Sequence, residues 1–487
     1  MTAQRAPTPP AVRPCFGRMG QAAIGVAAAL ATLITPLPTV YAQDEGGAGP
    51  QLSLIRDTEI EAILHQDADP VFIAAGIDPK AVHIYIVGDN DLNAFVAGGQ
   101  NLFLNTGLIE RTKTPNELIG VMAHETGHMA GGHLVRSDQG EKQALATYLL
   151  TMGLGVLAAV GGAPDAAAGL LYSSGYFAAL TGAGFTRIQE ASADQAAVTY
   201  LEKSGQSAKG LVEFFDNFRY EEVFDNARRY KFFQDHPLTS ERIEALQTRA
   251  EEQAHYNVVD TPEALARHAI MVAKLKAFMN LPQQTFLDYP ESDTSFPARY
   301  ARAIAYYRDL QTDKALKLTD QLIVEHPDDP YLYELKGQTL FEIGRAAEAA
   351  PAHAKSVELN PNAPLLHMNL GQTLLGEENP AKLDEAIAQI RRSLDMEPDN
   401  PFGWLLLSQA YDQKNQPGMA RLAAAEENFN LGQAAAARAF GMRARSLLPK
   451  DSPEWRRATD IVLVSNPTPA DLRALAREGS MPEPLSR

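Results

Sequence analysis

Five consecutive residues, His124-Glu125-Thr126-Gly127-His128, carry the strongest chemical signal in the chain. Two histidines four positions apart leave the same face of a helix. Imidazoles so placed can bind one divalent ion, and Glu125, rotated to one side, can reach a water held there. Zinc suits such a site, because it acidifies the water toward a pKa of about 7 and polarises a carbonyl. Glu125 would take the water's proton and pass it to a leaving amine. The spacing therefore points to metal-assisted hydrolysis of an amide.

Two imidazoles do not complete a zinc site. His133 lies nine positions after His124, whereas a third histidine on an extended version of this motif would fall at position 134, which is Leu134. Helical geometry also turns His133 away from the face of His124 and His128. A better third ligand is Glu190, in the segment Arg187-Ile188-Gln189-Glu190-Ala191-Ser192-Ala193-Asp194. A carboxylate from a second helix gives two histidines and one glutamate, with the fourth position left to water. Asp194, one helical turn on, can accept a hydrogen bond from the far nitrogen of a ligating histidine. Taken alone, Glu190 and Asp194 would read as a solvated acidic face; the upstream motif favours one Zn2+ per chain, held by His124, His128 and Glu190.

The elements that must carry these residues are legible nearby. Thr114-Pro115-Asn116-Glu117 combines a capping box with proline at the first helical position. The helix it opens continues through the histidine motif to a stop at Gly131-Gly132. Residues 51–82 read as helical, with strand-like runs at 82–87 and Asn101–Asn105. The second run can be an edge strand beside a cleft, able to bind an extended peptide, or an ordinary paired strand. A further helix covers about 187–203. Residues 211–255 are helical with an interruption at His236-Pro237. Residues 144–186 carry one charge, Asp165, and read as packed helices or as apolar surface facing a membrane.

At the N-terminus Arg5, Arg13 and Arg18 precede an apolar stretch and the small-residue site Val40-Tyr41-Ala42. That order predicts a cleavable secretory signal over residues 1–42. Cys15, the sole cysteine, would leave with it, so a zinc site must use histidine and carboxylate. Removing three arginines and no acid takes the net charge from -17 to -20. A surface that acidic repels phosphate backbones, which excludes nucleic acid as a partner.

The C-terminal part repeats. Pro327 to Pro361 and Pro330 to Pro364 both span 34 residues, and the next interval is 37. Small residues recur at matched places: Ala303, Gly337 and Gly371, then Ala315, Ala349 and Ala386. A 34-residue period of helix pairs is the tetratricopeptide signature.

Asn93-Ala94-Phe95, Gly98-Gly99, Thr106-Gly107-Leu108, the His124–His128 motif, Arg187…Glu190…Asp194, and His236-Pro237 with Arg242 follow the order seen in HtpX and CAAX-prenyl-protease-type zinc metallopeptidases. Ala97 departs from that pattern, which usually has proline there. With the signal and the repeats, residues 52–450 resemble the periplasmic, BepA-like branch of that family. The resemblance implies a mainly α chain: a gluzincin-type metalloprotease domain with a small β-sheet, then an α-solenoid of tetratricopeptide repeats. The expected division is 1–42 signal peptide, 43–255 metallopeptidase, 256–295 helical linker, 296–450 repeats and 451–487 tail. It also implies a zinc endopeptidase that degrades misfolded or stalled outer-membrane proteins in the periplasm. The repeats would assist assembly by contacting the outer-membrane β-barrel assembly machinery; peripheral membrane contact is a further expectation. In such proteins a histidine at the place of His236 can approach the metal as a gate or fourth ligand; stabilising an oxyanion, or merely capping a turn, are its other readings. The competing function is a non-proteolytic periplasmic chaperone or scaffold with structural zinc, which would have no need of Glu125.

Overall fold

The computed structural model describes residues 53–97, 99–132, 187–222, 236 and 238–477. The expected signal, His133, residues 144–186 and the end of the tail lie outside the described residues. The first half opens with β1 (Leu54–Ile55), α1 (Thr58–Ala74), β2 (His83–Val87), β3 (Ala94–Ala97) and β4 (Asn101–Asn105). There follow α2 (Thr106–Arg111), α3 (Pro115–Gly131), α4 (Arg187–Lys203), α5 (Lys209–Glu222) and α6 (Ser240–Glu251).

The stretch read as helical from residue 51 begins instead with two residues of strand. Leu54 and Ile55 pair antiparallel with Val87 and Ile86, and the helix starts only where Asp57 caps the amides of Glu59 and Ile60. Strand order is β1-β2-β4-β3, with β2 and β4 parallel and β3 antiparallel to β4. Asn101–Asn105 is therefore an interior strand, and the edge expected there belongs to β3. The β-like run made the strand visible but could not show that the segment after Asn93 folds back to cover it. Ile84, Ile86, Leu102, Leu104, Ala94 and Val96 face the helices in one core. On the other face Tyr85, Phe103 and Phe95 stack across three strands.

Helix α3 runs through that core. Thr114 accepts from the Glu117 amide, and Glu117 reaches back to the amide of Lys113, one residue before the cap. Gly132 ends the helix with φ 59°, a left-handed conformation that glycine adopts without a side-chain clash.

Beyond residue 256 the described chain is wholly helical: α7 (Pro262–Met279), α8 (Pro282–Asp288), α9 (Phe296–Arg308), α10 (Thr312–Glu325), α11 (Pro330–Glu342), α12 (Ala346–Leu359) and α13 (Pro364–Gly376), then α14 (Leu383–Met396), α15 (Pro401–Gln413), α16 (Pro417–Asn430), α17 (Ala434–Leu447), α18 (Pro453–Val464) and α19 (Pro469–Arg477). Successive helices pack pairwise as helical repeats, and the small residues sit at the crossings. Ala303, Ala315, Ala349 and Ala386 are fully or almost fully buried. Gly337 makes room for the His353 ring and Gly371 for Ile390. Helix α7, expected as a linker, packs on both sides. Met271 and Leu275 enter the core of the first half, while Ala273, Ala277 and Phe278 join Tyr300, Ile304 and Leu332 of the repeats.

Candidate active site

The histidine motif sits in the middle of α3, where His124, Glu125 and His128 are buried. Gly127 lets α4 cross α3 closely, since a Cβ there would stand 2.8 Å from the carbonyl oxygen of Ala193. That close approach brings Glu190 to the two histidines. Nε2 of His128 lies 3.1 Å from Nε2 of His124. The carboxylate of Glu190 spans them, Oε2 at 3.5 Å from His124 and Oε1 at 3.3 Å from His128.

His236 comes from the segment before α6. Its Nδ1 is 3.2 Å from Glu190 Oε1 and 3.4 Å from His124 Nε2. Its Nε2 lies 3.3 Å from Glu125 Oε1. Donor atoms of His124, His128, Glu190 and His236 all fall within 4.8 Å of one another. Zinc bonds of about 2.0–2.2 Å in a tetrahedron hold ligand atoms about 3.3–3.6 Å apart. The separations of 3.1–3.5 Å given above match that spacing, so the residues fit a zinc ion.

Asp194 extends the site from the next turn of α4. Its Oδ1 is 2.9 Å from His124 Nδ1, the nitrogen turned away from the other donors. Such a bond fixes the imidazole's orientation and would leave Nε2 to a metal. Arg242 of α6 then grips both acids: Nε and Nη2 donate to Asp194 at 2.6 and 2.8 Å, and Nη1 lies 2.7 Å from Glu190 Oε2. Its guanidinium also lies 5.0 Å from the Phe215 ring centroid. Sequence reasoning carried Arg242 only as a member of an ordered set and gave it no part. Its place six residues after His236 was a signal, but the two carboxylates it joins are apparent only in three dimensions.

These contacts set the charges. Burial would raise the Glu190 carboxyl, but His236 and hydrogen bonds from His124 and His128 hold it well below the usual range. Asp194 is likewise kept ionised against burial by Arg242 and His124. Burial pulls His124 down, yet hydrogen bonds to Asp194 and Glu190 outweigh it and raise the group to about 9. His128 falls to about 3, because burial and the neighbouring His124 and His236 overcome its bond to Glu190. The cluster is thus rich in ionised carboxylate and suited to a cation.

A buried pair of histidines one turn apart on one helix, a glutamate from a second helix and a glutamate beside them define a metalloprotease, a hydrolase. Residues 55–250 match the model of Peptidase family M48. The chain is 26% identical over 342 residues to the beta-barrel assembly-enhancing protease of Yersinia pestis, with 67% of each chain covered. It is 25% identical over 365 residues to the protein of that name from Escherichia coli (strain K12), covering 72% of this chain and 71% of the relative. It is also 28% identical over 173 residues to the metalloprotease LoiP of the same strain, covering 36% of this chain and 64% of LoiP.

Proposed function

We propose that the chain is a zinc-dependent endopeptidase of the bacterial periplasm that degrades misfolded or stalled outer-membrane proteins and assists their assembly through its repeats. The observation that carries the reading is the buried cluster of His124, His128, Glu190 and His236, with Glu125 buried 3.3 Å from His236. When bound there by His124, His128 and Glu190, zinc would supply a Lewis acid that polarises the scissile carbonyl and acidifies water. Glu125 takes the proton of the attacking water and returns it to the leaving amine. Asp194 holds His124 in the ligating orientation, and Arg242 holds both Asp194 and Glu190. A substrate strand can add to β3, an edge strand among the described residues, which lies against α3. The names of the relatives support work on β-barrel assembly. The secretory signal read at residues 1–42 supports the periplasm, and among the described residues no helix is long and apolar enough to cross a membrane. The repeats would serve as tetratricopeptide surfaces for substrates or the assembly machinery.

His236 gives the competing reading its one structural support. With its Nδ1 among the donors, zinc would have four protein ligands, the closed arrangement of a structural site. The same geometry serves a latent enzyme whose fourth position His236 vacates for substrate. Cleavage of an unfolded model protein by residues 43–487, with bound zinc quantified, separates the two. Loss of cleavage in Glu125→Gln with zinc retained, and a gain in His236→Ala, would support the gated protease. Zinc bound without cleavage by either wild type or His236→Ala would favour the scaffold.

A further inference from the structure

The seam between the peptidase domain and the repeats is built from buried charge. Nζ of Lys274, on α7, lies 2.9 Å from Asp57 and 3.1 Å from Glu59, at the start of α1. Tyr300 of α9 donates to Glu59 at 3.0 Å. Glu334 of α11 accepts from Thr58 at 3.0 Å and from Asn369 of α13 at 2.9 Å. Asp329, which caps α11, also acts on Glu59 and Lys274, and its own neighbours include His326. Tyr331 completes this end. At the other end Arg56 bonds Glu61 and, across the seam, Glu397 at 2.6 Å. Asp399, His83 and Tyr85 lie in the field of that group.

Charge does not balance along this seam. Lys274 and Arg56 face Asp57, Glu59, Glu61, Asp329, Glu334, Glu397 and Asp399. A cavity of about 20 Å³ beside Arg56, Asp57, Lys274 and Glu334 has room for about one water. Burying more carboxylates than cations costs enough that the excess keep a proton instead. We propose that the seam is a proton-dependent clamp, which holds the repeats on the peptidase domain while Glu59 and Glu334 are protonated and loosens when both ionise.

Burial, with Asp329 and Asp57 nearby and only Lys274 opposing, raises Glu59 from 4.5 to about 7. Burial, with Asp57 and Glu59 against Lys274, does the same for Glu334. The docked state then binds protons that separated surfaces release, so docking is fullest below pH 4.5 and is lost as pH rises through 7. Between pH 6 and pH 9 each such carboxylate lowers the docking constant about tenfold, and a pair up to about a hundredfold.

Amide hydrogen exchange on the full mature chain tests this at pH 6, 7.5 and 9, after correction for the intrinsic rate. Protection at the start of α1 and in α11 should fall about 10- to 100-fold across that range, while α17 stays level. Glu59→Gln with Glu334→Gln should keep the seam protected and flatten the profile. Constant protection in the wild type, or an equal fall in the double variant, would overturn the clamp. Should the double variant not fold, the wild-type profile alone decides. The measurement reads docking and not cleavage, so it stands apart from the proposed proteolysis.

Discussion

Replacing Gly127 with alanine tests whether the helix crossing sets the metal site. The added Cβ would meet the Ala193 carbonyl oxygen at 2.8 Å, the Ala193 Cα at 3.0 Å and the Ala196 Cβ at 3.2 Å. Ordinary contacts between carbon atoms begin near 3.5 Å, so α4 must move away by roughly 0.5 Å. Two of the opposing atoms are backbone and cannot rotate aside. Overpacking of this kind costs about 1–3 kcal/mol. The greater effect is on the proposed ligand, because Glu190 sits one turn before Ala193 on the displaced helix. Metal bonds tolerate only about 0.2 Å of error. We expect zinc affinity to drop about 10- to 100-fold, the scale seen when groups that orient a ligand are disturbed. Competition against a chromogenic chelator measures it, with thermal unfolding alongside. Wild-type affinity together with an unchanged melting temperature would refute the idea that this glycine sets the distance between α3 and Glu190.

Removing Arg242 leaves two buried carboxylates without their shared cation, so Arg242→Met should destabilise the fold by about 3–5 kcal/mol in denaturant melts. Arg242→Lys should recover only part of that, since a point charge cannot reproduce the two-armed grip. Gly337→Ala would bring a methyl within 2.2–2.7 Å of the His353 ring atoms, and a loss of about 1–3 kcal/mol is expected without any change in zinc binding. His353 itself predicts a pH dependence. Burial lowers it from 6.5 to about 4, so the unfolded chain takes up a proton first. Stability present above pH 6.5 should fall by about 3 kcal/mol as pH drops to 4, and His353→Gln should flatten that slope in melts at pH 4.5 and 7.

Much of this was visible in the sequence because it rests on local rules. The cap at Thr114, the four-residue spacing of His124 and His128, and the prolines that open α11, α13 and α15 all act within a turn or two of chain. The place of Glu190 beside His124 and His128 was within reach because a two-histidine site calls for a further ligand, which narrowed the search to acids on another helix. The strand order was not legible: a β-like run marks Asn101–Asn105 as a strand and not which neighbours flank it. The same holds for Arg242, whose importance lies in two acids 48 and 52 positions earlier. Least visible of all was the seam, since Asp57, Lys274 and Glu334 look like surface charges wherever sequence alone is read.

Helix α7 has a consequence for how the molecule can be divided. Its alternate faces are walls of two different rooms, Met271 and Leu275 closing one and Ala277 and Phe278 the other. A cut before it would strip a wall from the peptidase half, and a cut after it would leave apolar side chains bare in water. The boundary therefore runs lengthwise along a helix and not across the chain. An isolated peptidase or repeat fragment should prove less soluble than the whole, whichever residue is chosen as its end.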